Sequence, residues 1–322
     1  MGVLFGIGVD IGATRVRVCV GDAGGRIKWR RAVSISPPER AEDYVKKVVS
    51  LVGLAVRRVP PGSGPVGVGV ASVGPLDLSR GGMASPANLP YDFVPLVDPI
   101  SSRHGVRVAL VNDASAAALG ERRFGAGQGC DDLVYVTLST GIGGGAIVDG
   151  HLISGKDGNA AEIGHIVVDP GERLPCGCGG RGHWEAYCSG RGIPNLASLM
   201  AEEGFGSAQE GTTGRGARTG TTDAASIFRR AAGGDGMALT VVEEVGRMNA
   251  LGVANAVNMF DPSLVTIGGG VALNNQSMIV NPIRKLVPSY SINRAPEIRI
   301  TPLGDNAGLL GALCLAFGEG DP

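Results

Sequence analysis

The sequence has little charge, few cysteines and no long apolar run. Charged residues make up 18% of it and the formal net charge is −1, so we expect no broad nucleic-acid-binding surface. Six cysteines in 322 residues are too few for a disulfide scaffold. No apolar run reaches the roughly 18 residues of a membrane span, and the first residues lack the pattern of a secretory leader. We therefore expect a cytoplasmic, soluble protein with no membrane or nucleic-acid partner.

Glycine is the residue in excess. The chain has 54 glycines, against about 7% in an average protein, and they follow no collagen period. They predict many tight turns and close backbone approaches. The hydrophobic content of 43% is enough for a large buried core, and predicted strands alternate with predicted helices, which indicates an α/β fold.

One strand–turn–strand unit occurs twice. Residues 5–20 and residues 133–148 each predict a buried strand, a turn rich in Gly and Thr, and a second strand. The turns are predicted at residues 10–14 and 139–145. A unit used twice suggests one copy per domain, with the two hairpins facing each other across a cleft around one ligand.

The two turns have the residues that a phosphate cradle needs. Glycine lets backbone N–H groups approach phosphate oxygens, and Thr14 and Thr140 add hydroxyl donors. Asp10, at the end of the first strand, could hold Mg²⁺ directly or through water. Either turn alone could be an ordinary hairpin turn, but two of them and a third glycine run at 268–270 favour phosphate binding. Neither turn matches a P-loop or a Rossmann Gly-x-Gly-x-x-Gly motif.

A carboxylate also follows a predicted buried strand at Asn112-Asp113. Asp113 stands before an Ala-rich predicted helix over 114–121, where a carboxylate is positioned to accept a proton from a bound hydroxyl. The alternative is that Asp113 serves only as the N-cap of that helix, which is the commoner role of Asp at such a position.

Two histidines and two cysteines fall within nineteen residues, in a Gly- and Pro-rich stretch with little else to order it. Cys and His are the ligands that zinc prefers, and four of them complete a tetrahedral structural site. The alternative is a chance proximity of buried cysteines and surface histidines. The predicted zinc ligands are His165, Cys176, Cys178 and His183.

Two carboxylates flank these predicted ligands. Glu162 precedes His165 by three residues, and Glu185 follows His183 by two. Zinc would bring both carboxylates and an imidazole into one small region, and such groups suit a polyhydroxylated ligand whose hydroxyls donate and accept hydrogen bonds. Each Glu taken singly could instead be a solvated loop charge.

Over almost its whole length, the sequence resembles the ROK family of sugar kinases and repressors. The most specific match is Glu162-x-x-His165 followed by Cys176-x-Cys178-Gly179-x-x-Gly182-His183-x-Glu185-x-x-x-Ser189-Gly190. Asp10-x-Gly12-x-Thr14, Asn112-Asp113 and Gly268-Gly269-Gly270 follow in the order of the family.

The resemblance implies an actin/hexokinase-like α/β fold, in which two ribonuclease-H-like domains enclose a cleft. The small N-terminal domain would comprise residues 1–112 with residues 304–322. The large domain would comprise residues 113–303, with the zinc-binding segment at 162–190.

The resemblance also implies a role for each matching residue. Asp113 would be the general base on the 6-hydroxyl of the sugar, which attacks the γ-phosphate of ATP. Asp10 would lie beside Mg²⁺, and His165 would bind sugar with one ring nitrogen and zinc with the other. The sugar hydroxyls would be bound by Asn88, Asn112, Asp113, Glu162, His165 and Glu185. The phosphates would be cradled by Gly12, Thr14, Arg15, Thr140 and Gly141, and the adenosine would pass Gly269 and Gly270.

Two residues depart from the family's usual pattern. His183 stands where a third Cys is usual, which still leaves two thiolates and two imidazoles for zinc. Arg15 stands where Lys is frequent, so a positive charge is retained near the phosphates with a different geometry.

We therefore expect an ATP-dependent glucokinase or broad hexokinase with Mg²⁺ and a structural Zn²⁺, and a homo-oligomer is compatible with the sequence. An N-acetylhexosamine kinase and a non-catalytic sugar-binding protein are the alternatives. The repressors of the family carry a helix-turn-helix domain ahead of the kinase-like part. The phosphate turn begins here at Asp10, which leaves no room for one, so we do not expect a repressor.

Overall fold

The computed structural model describes residues 3–12, 15–35, 40–61, 64–86, 89–204 and 223–320. The first half of the chain forms a five-stranded sheet, a small three-stranded sheet and two helices. In chain order these are β1 (Phe5–Ile11), β2 (Arg15–Asp22), β3 (Ile27–Ser34), α1 (Ala41–Val56), β4 (Pro65–Ser72), β5 (Leu76–Asp77), β6 (Gly82–Ala84), β7 (Phe93–Pro95), α2 (Val97–His104) and β8 (Val108–Asn112).

The second half forms another five-stranded sheet and the remaining helices. Its elements are α3 (Asp113–Phe124), β9 (Leu133–Leu138), β10 (Ile142–Val148), β11 (His151–Leu152), α4 (Trp184–Cys188), α5 (Gly192–Glu202), α6 (Ala224–Ala232), α7 (Gly236–Phe260), β12 (Leu264–Gly268), α8 (Gly270–Asn274), α9 (Gln276–Tyr290), β13 (Glu297–Ile300) and α10 (Ala307–Ala316). Short 3₁₀ turns lie at Ile163–His165 and Gly304–Asn306.

The two large sheets share one topology. Their strand orders are β3-β2-β1-β4-β8 and β11-β10-β9-β12-β13, so each has a central strand, an antiparallel meander on one side and two parallel strands on the other. The central strands are apolar and fully buried along nearly their whole length, as expected for strands covered on both faces. The α/β class and the repeated unit predicted from the sequence are confirmed.

The second glycine-rich turn is shorter than the sequence suggests. The predicted turn over 139–145 ends at Gly141, and Gly143, Gly144 and Gly145 lie inside β10. A Cβ on Gly145 would stand 2.5 Å from the carbonyl oxygen of Ala114 in α3. These glycines therefore serve close contact between strand and helix, a role that sequence cannot separate from a turn.

Each sheet packs its own core. Val9, Val18 and Val70 of the first sheet are buried with Tyr44 and Val48 of α1. A separate core lies between the second sheet and the helices after it, including Trp184, Val245 and Val253. Among the described residues, no helix combines the length and apolarity that crossing a bilayer requires.

Helices α3 and α10 cross each other at small residues, and α10 returns the end of the chain to the first sheet. A Cβ on Gly69 of β4 would stand 1.9 Å from the carbonyl oxygen of Ala312 in α10. This packing supports the grouping of the C-terminal helix with the first half, while the exact domain bounds stay a prediction.

The α3–α10 crossing provides a stability test. A Cβ on Gly311 would stand 1.6 Å from the carbonyl oxygen of Ala116, and backbone cannot move aside as a side chain can. Gly311→Ala is expected to lower the free energy of unfolding by about 3 kcal/mol or more. Gly236→Ala is the matched control, because its Cβ would meet nothing within 4 Å. Urea unfolding checks both, and equal midpoints for the two variants would contradict the described crossing.

Candidate active site

The predicted catalytic residues meet at the carboxyl ends of the first sheet. Strands β1, β4 and β8 are parallel neighbours, so their ends lie along one edge. Ligands in α/β proteins bind at such an edge. Asp10 is near the end of β1, Asn112 ends β8, and Asp113 begins α3.

The N-cap of α3 is Asn112 and not Asp113, which corrects the alternative weighed from the sequence. Asn112 has extended backbone (φ −60°, ψ 148°) and its side chain accepts the backbone N–H of Ala114 at 2.9 Å. Asp113 is already the first helical residue, although its Oδ1 also accepts this N–H, at 2.8 Å. Because Asn112 satisfies the helix end, Asp113 is not needed as its cap.

Burial, together with the neighbouring carboxylates of Asp10 and Glu162, raises the pKa of Asp113 to about 7, and the hydrogen bond from the N–H of Ala114 partly opposes the rise. A carboxylate with this pKa is suited to accept a proton from a hydroxyl at neutral pH. The side chain is half-buried, so it is both desolvated and reachable.

Arg17 is a site residue that the sequence reasoning missed. The hairpin is closed by the N–H of Gly12, which donates to the carbonyl of Arg15, and this register sets Arg17 opposite Asp10. Arg17 Nε donates to Asp10 Oδ2 at 2.8 Å, and Nη1 donates to the backbone carbonyl of Asp305. Burial raises the pKa of Asp10 while the guanidinium opposes that rise. The signal that could have identified Arg17 is the pairing register of β1 and β2, which sets it opposite Asp10.

The second turn is held by the segment that carries the predicted zinc ligands. Glu185 Oε2 accepts the N–H of Ile142 at 2.8 Å, and the N–H of Gly190 donates to the carbonyl of Ser139 at 2.7 Å. A Cβ on Gly141 would stand 2.5 Å from Glu185 Oε2, so a side chain there would displace this carboxylate. Thr140 is exposed at the tip of the turn. The structure thus places Glu185 against the predicted phosphate turn.

The third glycine run lies at the carboxyl end of β12, beside the end of β9. Gly269 has φ +85°, and a Cβ there would stand 2.4 Å from the carbonyl oxygen of Leu138. Gly270 begins α8. The glycine run and the second turn therefore lie at the same edge of the second sheet.

The four predicted zinc ligands come together. Their ligand atoms all lie within 4.8 Å of one another. Cys176 Sγ is 3.7 Å from His165 Nδ1, and Cys178 Sγ is 3.2 Å from His183 Nδ1. The edges of a tetrahedron with zinc–sulfur and zinc–nitrogen bonds are about 3.3–3.8 Å. The donor set therefore fits Zn²⁺, and the ligand atoms that lie farthest apart would have to approach one another by about 1 Å to bind it.

The sugar-binding residues predicted next to this cluster also lie close together. His165 Nε2 is 3.9 Å from Glu162 Oε2, so the ring nitrogen not facing the cysteines faces this carboxylate. Burial raises the pKa of Glu162, with His165 opposing and Glu185 adding to the rise. Arg15 is exposed at the start of β2, close enough to Asp10 to act on its pKa. The predicted residues Thr14 and Asn88 lie outside the described residues.

Comparison with known proteins identifies the class and then the family. The chain is 35% identical to a ROK glucokinase from Streptomyces griseus solved with glucose and AMPPNP, with a TM-score of 0.78 over 98% of this chain and 99% of that one. It is 33% identical to the ROK hexokinase of Thermus thermophilus, with a TM-score of 0.81 over the same shares. The fold is thus the actin/hexokinase-like α/β fold.

The family follows from the sequence match. The profile of the ROK family matches residues 6–319. A glucokinase of Aeropyrum pernix is 38% identical over 97% of this chain and 96% of its own length. The chain belongs to the ROK family.

Proposed function

We propose that the protein is an ATP-dependent sugar kinase that phosphorylates the 6-hydroxyl of glucose and related hexoses, giving hexose 6-phosphate and ADP. The observation that carries this is Asp113, a half-buried carboxylate with a pKa of about 7 beside Asp10 and Glu162 at the carboxyl ends of the strands. Full-length similarity to glucokinases from several organisms supports glucose as the substrate.

In the proposed reaction, Asp113 accepts the proton of the 6-hydroxyl as its oxygen attacks the γ-phosphorus. The bond between that phosphorus and the β,γ-bridging oxygen breaks, and ADP leaves. Asn112, Glu162, His165 and Glu185 would orient the sugar hydroxyls, together with Asn88. The protein itself carries out little covalent chemistry, so positioning and charge neutralisation supply most of the rate enhancement.

The glycine turns would hold the nucleotide. Gly12, Thr14 and Arg15 of the first turn and Thr140 and Gly141 of the second would bind phosphates. The backbone of Gly269 and Gly270 would lie close to the adenosine. We propose Asp10 as the residue that holds Mg²⁺, which would neutralise phosphate charge when bound; its carboxylate lies at the required strand end and is oriented by Arg17.

We further propose that His165, Cys176, Cys178 and His183 hold a structural Zn²⁺. The proximity of their ligand atoms supports this, as does the scarcity of regular structure in the chain around them, where the backbone is paired by the isolated bridges Pro175↔Arg181 and Val167↔His183. A cytoplasmic location, a homo-oligomer and the absence of nucleic-acid partners stay predictions.

The product tests the proposed reaction directly. With Mg-ATP and glucose, ³¹P NMR is expected to show ADP and glucose 6-phosphate in equal amounts. ADP without a sugar phosphate, or a phosphate on the anomeric oxygen, would contradict the proposed reaction.

The pH dependence of activity tests the base. Asp113 acts only when ionised, and its pKa of about 7 lies above the ordinary range of an Asp. The kcat/KM for glucose is therefore expected to fall about tenfold for each pH unit below about 7 and to level off above it. An acidic limb near pH 4, where an unperturbed Asp titrates, would contradict the assignment.

A further inference from the structure

A reciprocal pair of hydrogen bonds joins the two halves of the molecule beside the proposed sugar site. Asn159 Oδ1 accepts the backbone N–H of Leu76 at 2.7 Å, and Asn159 Nδ2 donates to the carbonyl of the same residue at 2.8 Å. Asn159 lies in the connection between β11 and the 3₁₀ turn at Ile163–His165, and Leu76 begins β5. The amide thus pairs with the strand as a neighbouring strand would.

The contact links two cores that are also joined by a third core around α3 and α10, which includes residues of both sheets. Leu76 is 2% exposed and belongs to the core of the first sheet. Ile163, four residues after Asn159, belongs to the core of the second sheet. A hydrogen-bonded pair between them fixes the distance between one wall of the cleft and the other.

The residues on either side of this pair are those proposed to bind sugar. A Cβ on Gly74 would stand 3.3 Å from Asn112 Nδ2, 3.5 Å from Glu162 Oε1 and 3.6 Å from Asn159 Oδ1. The backbone of Gly74 therefore passes directly beside two sugar-binding side chains that come from different halves of the chain. Asn159 is three residues before Glu162, so it anchors the loop that carries this carboxylate.

A second contact repeats the same alignment. Gly158, in the left-handed conformation at φ +87°, lies against the side chain of Leu78, whose Cγ would be 2.7 Å from a Cβ at that position. Residues 74–78 and 158–162 thus run along each other for several residues. The arrangement is a local interface and not a single chance hydrogen bond.

We propose that Asn159 is a positioning residue for the sugar site, which fastens the loop carrying Glu162 to β5 and holds the two walls of the site at their working distance. The inference rests on the proposed function for its kinetic readout. The hydrogen bonds of Asn159 join Leu76, and its side chain lies beside Gly74 next to Glu162, so its effect is expected on the sugar and not on the nucleotide.

The variant Asn159→Ala tests this. The substitution removes two hydrogen bonds and leaves the backbone N–H and carbonyl of Leu76 without these partners. It is therefore expected to raise the KM and Kd for glucose about tenfold. The KM for Mg-ATP and the kcat at saturating glucose are expected to stay within about twofold. The milder Asn159→Ser is measured beside it, should the alanine variant fold poorly.

The matched control is Asn258→Ala. Asn258 also donates from Nδ2 to a backbone carbonyl, that of Tyr290 at 3.3 Å, and accepts a backbone N–H, that of Ile292 at 3.0 Å. This pair lies within the second half of the chain, away from the proposed site. Asn258→Ala is expected to leave both KM values unchanged.

Amide hydrogen exchange tests the contact without requiring catalysis. Exchange in residues 74–78 is expected to be faster in Asn159→Ala than in the wild-type protein, and glucose is expected to slow it more in the wild type. An unchanged glucose KM and Kd would overturn the proposal, as would an equal rise in the KM for glucose and for Mg-ATP. A wild-type protein that turned over no hexose would count against the proposed function, whereas unchanged exchange in residues 74–78 would count against the inference itself.

Discussion

Asp113→Asn is expected to reduce kcat by about 10²–10⁴-fold while leaving the affinity for glucose nearly intact. Asparagine has the shape of aspartate but cannot take the proton of the 6-hydroxyl. The fold is expected to survive, because Asn112 caps α3 and because Oδ1 of an asparagine at 113 can still accept the N–H of Ala114. The comparison uses steady-state kinetics together with glucose binding by calorimetry.

The control for this variant is Asp131→Asn, which removes a carboxylate that is exposed and paired with Arg122. It is expected to keep the wild-type kcat. A near-normal kcat in Asp113→Asn would show that another group takes the proton. Loss of glucose binding together with turnover would instead mean that Asp113 holds the sugar and does not act on it.

Removal of the proposed zinc is expected to lower the melting temperature by an amount on the order of 10 °C. The ligands lie where little regular structure orders the chain, so the metal would replace the backbone ladder contacts that the segment lacks. Because His165 faces Glu162 and Glu185 bonds the second turn, we also expect a higher KM for glucose and a smaller change in the KM for Mg-ATP.

Cys178→Ser and Cys130→Ser form the matched pair for this prediction. Cys178 is one of the four clustered ligands, whereas Cys130 lies outside the cluster and hydrogen-bonds Ser263. Zinc content by mass spectrometry and melting temperature by calorimetry are expected to fall only in Cys178→Ser. Absence of zinc in the purified wild-type protein, or equal melting temperatures of the two variants, would contradict the zinc site.

Features that depend on short stretches of chain were predictable from the sequence. The alternation of Val16, Val18 and Val20 predicts β2, and the structure confirms a strand over Arg15–Asp22. The His and Cys cluster was predictable because its members are close in sequence as well as in space. The repeated unit was predictable because each copy is one local strand–turn–strand pattern.

Features decided by one backbone angle or by strand register were not predicted. Asn112 and Asp113 are equally good N-cap residues, and only the extended backbone of Asn112 shows which one takes the role. From the sequence alone, Arg17 is one of the polar residues that alternate along a half-buried strand. Only the register of the hairpin shows that it lies opposite Asp10.

Contacts between segments that are distant along the chain could not be predicted from the sequence. Asn159 and Leu76 are 83 residues apart, and nothing in either local pattern predicts their pairing. Their meeting depends on how the two sheets are placed by the crossing of α3 and α10. The same placement brings Glu162 close enough to Asp113 to act on its pKa.

The most direct test of the account is ADP release with Mg-ATP across glucose, mannose, fructose, glucosamine, N-acetylglucosamine and N-acetylmannosamine, compared by kcat/KM. We predict that the unmodified hexoses are preferred, with glucose among the best substrates. Preference for an N-acetyl sugar would contradict the glucose assignment and point to an N-acetylhexosamine kinase. Activity on none of the six would contradict the kinase itself and favour a sugar-binding protein.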